Sequence, residues 1–195
     1  MARWDPGTEK RLIKAALELY AEHGYDNVTV TRIAEHAGIT RRSYFRYFPD
    51  KREVLFAGSE RLPAAIEQAV LAAAETSSPL STALDALAGV GARLVEHVTN
   101  VAERRAVINA SAELQERERT KVAAVTAAIR TGLEQRGTET GRAHLVAQIA
   151  TVVFQNAFDQ WAGADGHTDF VTCLQAAAAS LRDAVTADST NGTPG

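Results

Sequence analysis

A chain of 195 residues, 46% hydrophobic and 23% charged, has the balance of a globular protein and excludes a disordered one. No apolar run reaches the ~18 residues of a membrane span, and a single cysteine, Cys173, excludes an internal disulfide and any cysteine-based metal cluster. The net charge of −3 is unevenly spread: residues 1–52 carry ten Lys and Arg against seven Asp and Glu, whereas residues 53–195 carry eleven against seventeen.

The prolines stand at positions 6, 49, 63, 79 and 194, and the long intervals between them are rich in the good helix formers Ala, Leu, Glu, Arg and Gln. Sustained period-two alternation is missing, so the chain reads as all-α. Its opening, MARWDPGTEKR, lacks the apolar core of a signal peptide, and the expected location is the cytoplasm. A first helix is expected from Thr8 to His23, with Leu12, Ile13, Ala16, Leu17 and Tyr20 as its apolar stripe. Gly24 supplies the left-handed residue after it. Thr29 caps a short helix from Val30 to Ala37, Gly38 breaks it, and Thr40 caps a third helix through about Tyr47. Asp50 and Glu53 are spaced for a reciprocal capping box on a fourth helix, which Pro63 is expected to bend near its middle.

Beyond it, Ser78-Pro79 is a helix start leading into Leu84, Leu87, Val90, Leu94 and Val98. Residues 102–136 are expected to hold a short helix and a longer one. A loop over 137–141 precedes helices over 142–162 and 168–186, and a Ser, Thr, Gly and Pro-rich tail over 187–195 is expected to fray. The domain organisation that follows is 1–50, 51–186 and the tail 187–195.

Residues 30–48 fit a helix-turn-helix, and the stretch GITRRSYFRYFPDK packs three arginines and four aromatics into its second half. Arg41 and Arg42 stand in the first turn of a helix, where a cation costs ~0.3–1 kcal/mol against the unpaired N–H groups. Neither has an acidic neighbour within one helical turn. The arrangement makes sense if a partner brings the negative charge, as DNA does through phosphate or the acceptor edge of guanine. Tyr44 and Phe48, four apart, are expected in the core, while Phe45 and Tyr47 point elsewhere; Tyr47 can offer its hydroxyl to a phosphate. Lys51 is placed to neutralise another. The basic first quarter of the chain agrees with a module that faces a polyanion.

The run AALELYAEHGYDNVTVTRIAEHAGIT followed by SYFRYFPDKREVLF, within Thr8 to Phe56, resembles the DNA-binding domain of the TetR family of bacterial transcriptional regulators. The resemblance implies a three-helix helix-turn-helix domain joined to a helical bundle, about nine helices in all, working as a homodimer. It implies that Thr29 touches a phosphate, that Thr40, Arg41, Arg42 and Ser43 face the major groove, and that Tyr47 and Lys51 clamp the backbone. Two departures stand out: the family often has Gly where Arg42 stands and Tyr where Phe45 stands. Arg42 adds a contact to a base or a phosphate, and Phe45 loses a hydroxyl that would reach one.

The same resemblance gives the C-terminal domain a small-molecule effector and gives the last two helices the pairing of subunits. Phe170, Leu174, Ala177, Leu181 and Val185 form one stripe of the last helix. The helix before it is apolar on two opposed faces, Leu145, Ile149 and Val152 on one and Phe154, Phe158 and Trp161 on the other. The expected dimer residues are Phe154, Phe158, Trp161, Phe170, Leu174, Ala177 and Leu181. Asn156 is either a polar group orienting a ligand or a core amide bonded to backbone. Asn109 and Glu113, four apart, either line a cavity or face solvent. His97 and His144 lack companions at metal-ligand spacing, so neither a metal nor a cofactor is expected.

The function these features predict is sequence-specific transcriptional regulation. It takes the form of repression at a palindromic operator, released by a small, largely hydrophobic ligand. An enzyme is not expected, since no nucleophile–base pair, phosphate-binding glycine loop or metal set is visible. An architectural module using the same fold without reading sequence is the alternative.

Overall fold

The computed structural model describes residues 6–74, 78–96, 98, 100–164 and 168–187. Within them lie nine α-helices and no strand: α1 (Pro6–His23), α2 (Val30–His36), α3 (Arg41–Tyr44), α4 (Leu62–Leu71), α5 (Pro79–Val95), α6 (Val101–Asn109), α7 (Ala112–Gln135), α8 (Thr140–Gly163) and α9 (Phe170–Ala187). The all-α expectation and the helix order hold. His97 and the tail beyond Ala187 lie outside the described residues.

The chain divides into two compact units that are not contiguous in sequence. One comprises residues up to Glu60 together with Asn100–Lys121, and the other Arg61–Thr99 together with the residues from Val122 onward. The expected boundary at residue 50 differs because Val54, Leu55 and Phe56 are buried in the core of the first unit.

The first unit is built around α1. Leu12, Ala16, Leu17 and Tyr20 pack with Val28, Ile33, Ala34, Tyr44, Phe48 and Phe56, and Val107 and Leu114 from α6 and α7 complete the cluster. The caps read from sequence are formed. Thr29 accepts from the Arg32 amide and Thr40 from the Ser43 amide, each satisfying an orphan donor of its helix. Gly38, at φ +73°, makes the turn between α2 and α3 in a conformation that side chains resist.

Two elements differ from expectation. The third helix stops at Tyr44 and continues only as turns over residues 45–47. The expected fourth helix is two 3-10 turns, Glu53–Phe56 and Ser59–Arg61, separated by Gly58 at φ +78°. The α-helix begins only at Leu62, so Pro63 sits in its first turn, where a missing N–H costs nothing, and bends no helix. Asp50 does cap the first 3-10 turn, its Oδ1 accepting from the Arg52 and Glu53 amides at 2.8 and 3.0 Å. The Glu53 carboxylate does not complete the box; it pairs with Arg117, Nε to Oε1 at 2.6 Å and Nη2 to Oε2 at 2.9 Å.

The second unit is a helical bundle of α4, α5, α8, α9 and the part of α7 from Val122. Alanines Ala143, Ala147, Ala150 and Ala157 line the buried face of α8, and their small side chains let neighbouring helices approach closely. Gly91 of α5 carries this furthest: a Cβ there would stand 2.1 Å from Cε1 of the buried Phe170 ring on α9.

Candidate nucleic-acid interface

The short α3 is held from below. Tyr44 is fully buried and its hydroxyl donates to the Asp50 carbonyl at 2.9 Å, while Phe48 packs against the Tyr44 ring at 5.8 Å between centroids. The Tyr20 hydroxyl donates to the Lys51 carbonyl, joining α1 to the segment after α3. Burial, followed by nearby acidic and phenolic groups, pushes the Tyr20 and Tyr44 hydroxyls above the ordinary tyrosine range, so both stay neutral donors.

On this framework Arg41 and Arg42 are exposed, and among the described residues no carboxylate pairs with either. The Arg41 guanidinium lies over the Phe45 ring, 5.7 Å from its centroid. Phe45 is 46% exposed and meets Tyr44 edge to face. Thr29 and Thr40 are exposed at the starts of α2 and α3. Ser43 is half-buried with its hydroxyl 3.0 Å from that of Thr40, and Tyr47 is half-buried against the core. Thr29, Thr40, Arg41, Arg42, Ser43 and Phe45 thus belong to the exposed starts of α2 and α3 and the turn that follows.

Lys51 does something else. Its ammonium donates to the carbonyls of Tyr25 and Val28 at 2.9 and 3.2 Å, approaches that of Asp26 at 3.5 Å, and lies 4.1 Å from the Tyr25 ring centroid. The ammonium is thus already engaged by the turn after α1. Sequence offered no sign of this, because the carbonyls belong to a turn whose approach depends on the tertiary fold.

A second arrangement is invisible in the sequence for the same reason. The Tyr25 hydroxyl donates to Glu113 Oε1 at 2.9 Å, and Arg117 stacks over Phe56 at 4.9 Å while pairing with Glu53. Burial and the Glu113 hydrogen bond raise the Tyr25 phenol well above its usual value, and the Glu53 hydrogen bond raises Arg117. Glu113 therefore sits in the first unit with its carboxylate engaged by Tyr25. Asn109 is exposed at the end of α6, its carbonyl accepting from Gln115 Nε2 at 2.7 Å. Asn156 is exposed on α8, its Oδ1 accepting from Gln160. Inside the bundle, Thr82 of α5 and Thr151 of α8 are buried, and the Thr151 hydroxyl lies 3.0 Å from that of the half-buried Thr126; no sequence pattern singles these out.

The expected dimer residues fall mostly in the protomer's own core. Phe154, Trp161, Phe170, Leu174 and Ala177 are buried, and Phe154 meets Phe170 at 5.5 Å between centroids. Phe158 and Leu181 are half-buried. The reason is the alanine stripe: it continues through Phe154 and Trp161 at helical spacing and turns that whole face inward. Leu145 and Val152 are left 57% and 64% exposed, with Ile149 half-buried between them.

These elements define a class: a helix-turn-helix unit carried with an α-helical bundle. Residues 12–57 match the family model of bacterial regulatory proteins, tetR family. The transcriptional regulator TcmR of Streptomyces glaucescens is 38% identical over 82 residues, 42% of this chain and 34% of TcmR. The putative mycofactocin biosynthesis regulator MftR of Mycobacterium tuberculosis is 43% identical over 47 residues, 24% of each chain. The chain thus matches about a third or less of the length of these relatives, all of it within a limited segment. Among solved structures, FadR of Bacillus subtilis in complex with stearoyl-CoA has a TM-score of 0.59 at 18% identity over 86% of this chain and 94% of that one. A SmeT–triclosan complex has a TM-score of 0.56 at 18% identity over 89% and 90%. At that identity the likeness is one of fold. Among the described residues no helix is long and apolar enough to cross a membrane.

Proposed function

We propose that the protein is a homodimeric, sequence-specific DNA-binding transcriptional regulator, a repressor released from a palindromic operator by a small, largely hydrophobic effector. The observation that carries the reading is the pair Arg41 and Arg42, exposed and, among the described residues, without a carboxylate partner, on a helix-turn-helix whose supporting polar groups are already bonded. Two unpaired guanidiniums on a rigid frame suit phosphate oxygens and base edges. The short α3 weakens the helix-dipole argument, so exposure and lack of pairing support the reading instead. Thr29, Thr40, Ser43 and Tyr47 offer hydroxyls beside the arginines.

The effector half rests on less. That SmeT has been solved with triclosan and FadR with stearoyl-CoA supports the idea that chains of this fold bind small molecules with a large apolar part. The core of this bundle, rich in Ala, Leu and Val, agrees with it. For the pairing surface we favour the stripe of exposed Leu145 and Val152 with half-buried Ile149, together with exposed Val185, over the buried residues first expected.

The test is footprinting of the full-length protein on DNA flanking its gene across a salt series. A discrete palindromic site is expected, with affinity falling steeply as salt rises. Uniform coating with no protected site would instead favour an architectural module. Compounds that release the protein from that site then identify the effector class.

A further inference from the structure

The two arginines of α3 do not share one environment. Arg41 lies over the Phe45 ring, and that ring is fixed in turn: it stands edge to face with Tyr44, at 5.7 Å between centroids and 83° between planes. Tyr44 is itself fully buried and tied through its hydroxyl to the Asp50 carbonyl. A buried anchor therefore supports an exposed ring, and the ring supports a guanidinium. Arg42 has no such support among the described residues. The chain also keeps a large apolar side chain 46% exposed at Phe45, where stability alone gives no reason for one.

The two target chemistries differ in what they demand. Bidentate pairing with O6 and N7 of guanine requires the guanidinium plane in one orientation. A phosphate accepts a cation from many directions. An arginine already held against a ring loses less conformational freedom on pairing than an unsupported one. We propose that Phe45 is a positioning residue which presents Arg41 to a guanine in the major groove, while Arg42 takes a phosphate. This rests on the DNA-binding reading above and assigns the two arginines within it. The face of the ring does the work, so a phenol at this position serves as well as a phenyl.

The test uses the full-length protein and a random-sequence duplex library, followed by the same selection with Arg41→Ala, Arg42→Ala, Phe45→Leu and Phe45→Tyr. The wild type is expected to enrich a palindrome with a guanine in each half-site. Arg41→Ala and Phe45→Leu should both lose preference at that base pair, by about tenfold or more, and at no other. Phe45→Tyr should retain it. Arg42→Ala should weaken all sequences alike and lower the slope of log affinity against log salt by about 0.9 for each phosphate no longer neutralised. The selected duplex with 7-deazaguanine at that position gives a second readout. Its affinity relative to the normal duplex is measured on one variant at a time, so any loss of folded protein cancels. The penalty should be large for the wild type and small for both Arg41→Ala and Phe45→Leu. A Phe45→Leu protein that keeps the full 7-deazaguanine penalty overturns the inference, as does a guanine preference that survives Arg41→Ala. If the wild type enriches no sequence at all, the DNA-reading proposal itself falls, which is a different result from either.

Discussion

Lys51 looks like a phosphate clamp in the sequence and behaves as a brace in the structure. Its ammonium bonds the Tyr25 and Val28 carbonyls and covers the Tyr25 ring, so removing it takes a charged donor from the Val28 carbonyl and leaves that of Tyr25 with the Val28 amide. Lys51→Met keeps most of the stem and deletes the donors. It should cost about 1–3 kcal/mol in urea denaturation and leave the salt slope of DNA binding unchanged. A variant of full stability with a reduced salt slope would return Lys51 to the phosphate contacts. The phenols around it carry a pH signature of defined sign. Tyr20, Tyr25 and Tyr44 are raised above the ordinary value, first by burial. Above pH ~10 the unfolded chain releases these protons while the folded one retains them. Their contribution is therefore present below that value and lost as pH rises further. The melting temperature should fall above pH ~10, and fall less steeply in Tyr20→Phe than in the wild type; an unchanged slope would mean the raised phenols do not control alkaline stability.

What was legible at the level of elements was whatever is decided within one helical turn. Thr29, Thr40 and Ser78-Pro79 start their helices as read, because a cap needs only its own amide three residues on. Gly24 and Gly38 adopt the positive φ that their positions demanded. Illegible were the pairings made across the fold, such as Glu53 with Arg117 and Tyr25 with Glu113, since surface charges far apart in sequence leave no local pattern. On α8 the alanines rather than the bulky residues mark the inward face, because small side chains decide how closely helices approach. Gly91 makes the same point in α5: its missing Cβ leaves room for the Phe170 ring. Gly91→Ala should destabilise the bundle by about 1–3 kcal/mol, since an inserted methyl must push a buried ring off its position. Gly91→Ala combined with Phe170→Leu should recover part of that loss in thermal denaturation. A simple sum of the two single losses would show that the ring and the glycine are not coupled.

At the scale of the whole molecule, the exposed Leu145 and Val152 have to be set against the demands of a palindromic operator. They stand seven apart on α8 with Ile149 between them, one stripe of a helix whose other face is already buried. Val185 is exposed on α9, and so are Ala176 and Ala179, small enough to let a second helix come close. Covering such a stripe recovers about 25 cal/mol for each Å² of apolar surface removed from water. A two-fold axis does so with the same patch on both copies, and closes the assembly at two. On the proposed reading, pairing would also determine what is read. One copy meets a half-site, whereas two copies held at a fixed spacing read half-sites ~34–36 Å apart or a multiple of it, and the second contact becomes intramolecular. Val152→Arg with Leu145→Arg places like charges on the stripe of every copy, which repel across a two-fold axis, while leaving the core of the bundle untouched. The variant should sediment as a monomer with an unchanged helical melt. It should lose about 100-fold or more in affinity for the palindrome and bind an isolated half-site as the wild type does. A dimer surviving both substitutions would move the pairing surface elsewhere on the bundle. A monomer with undiminished palindrome affinity would show that pairing does not set what is read.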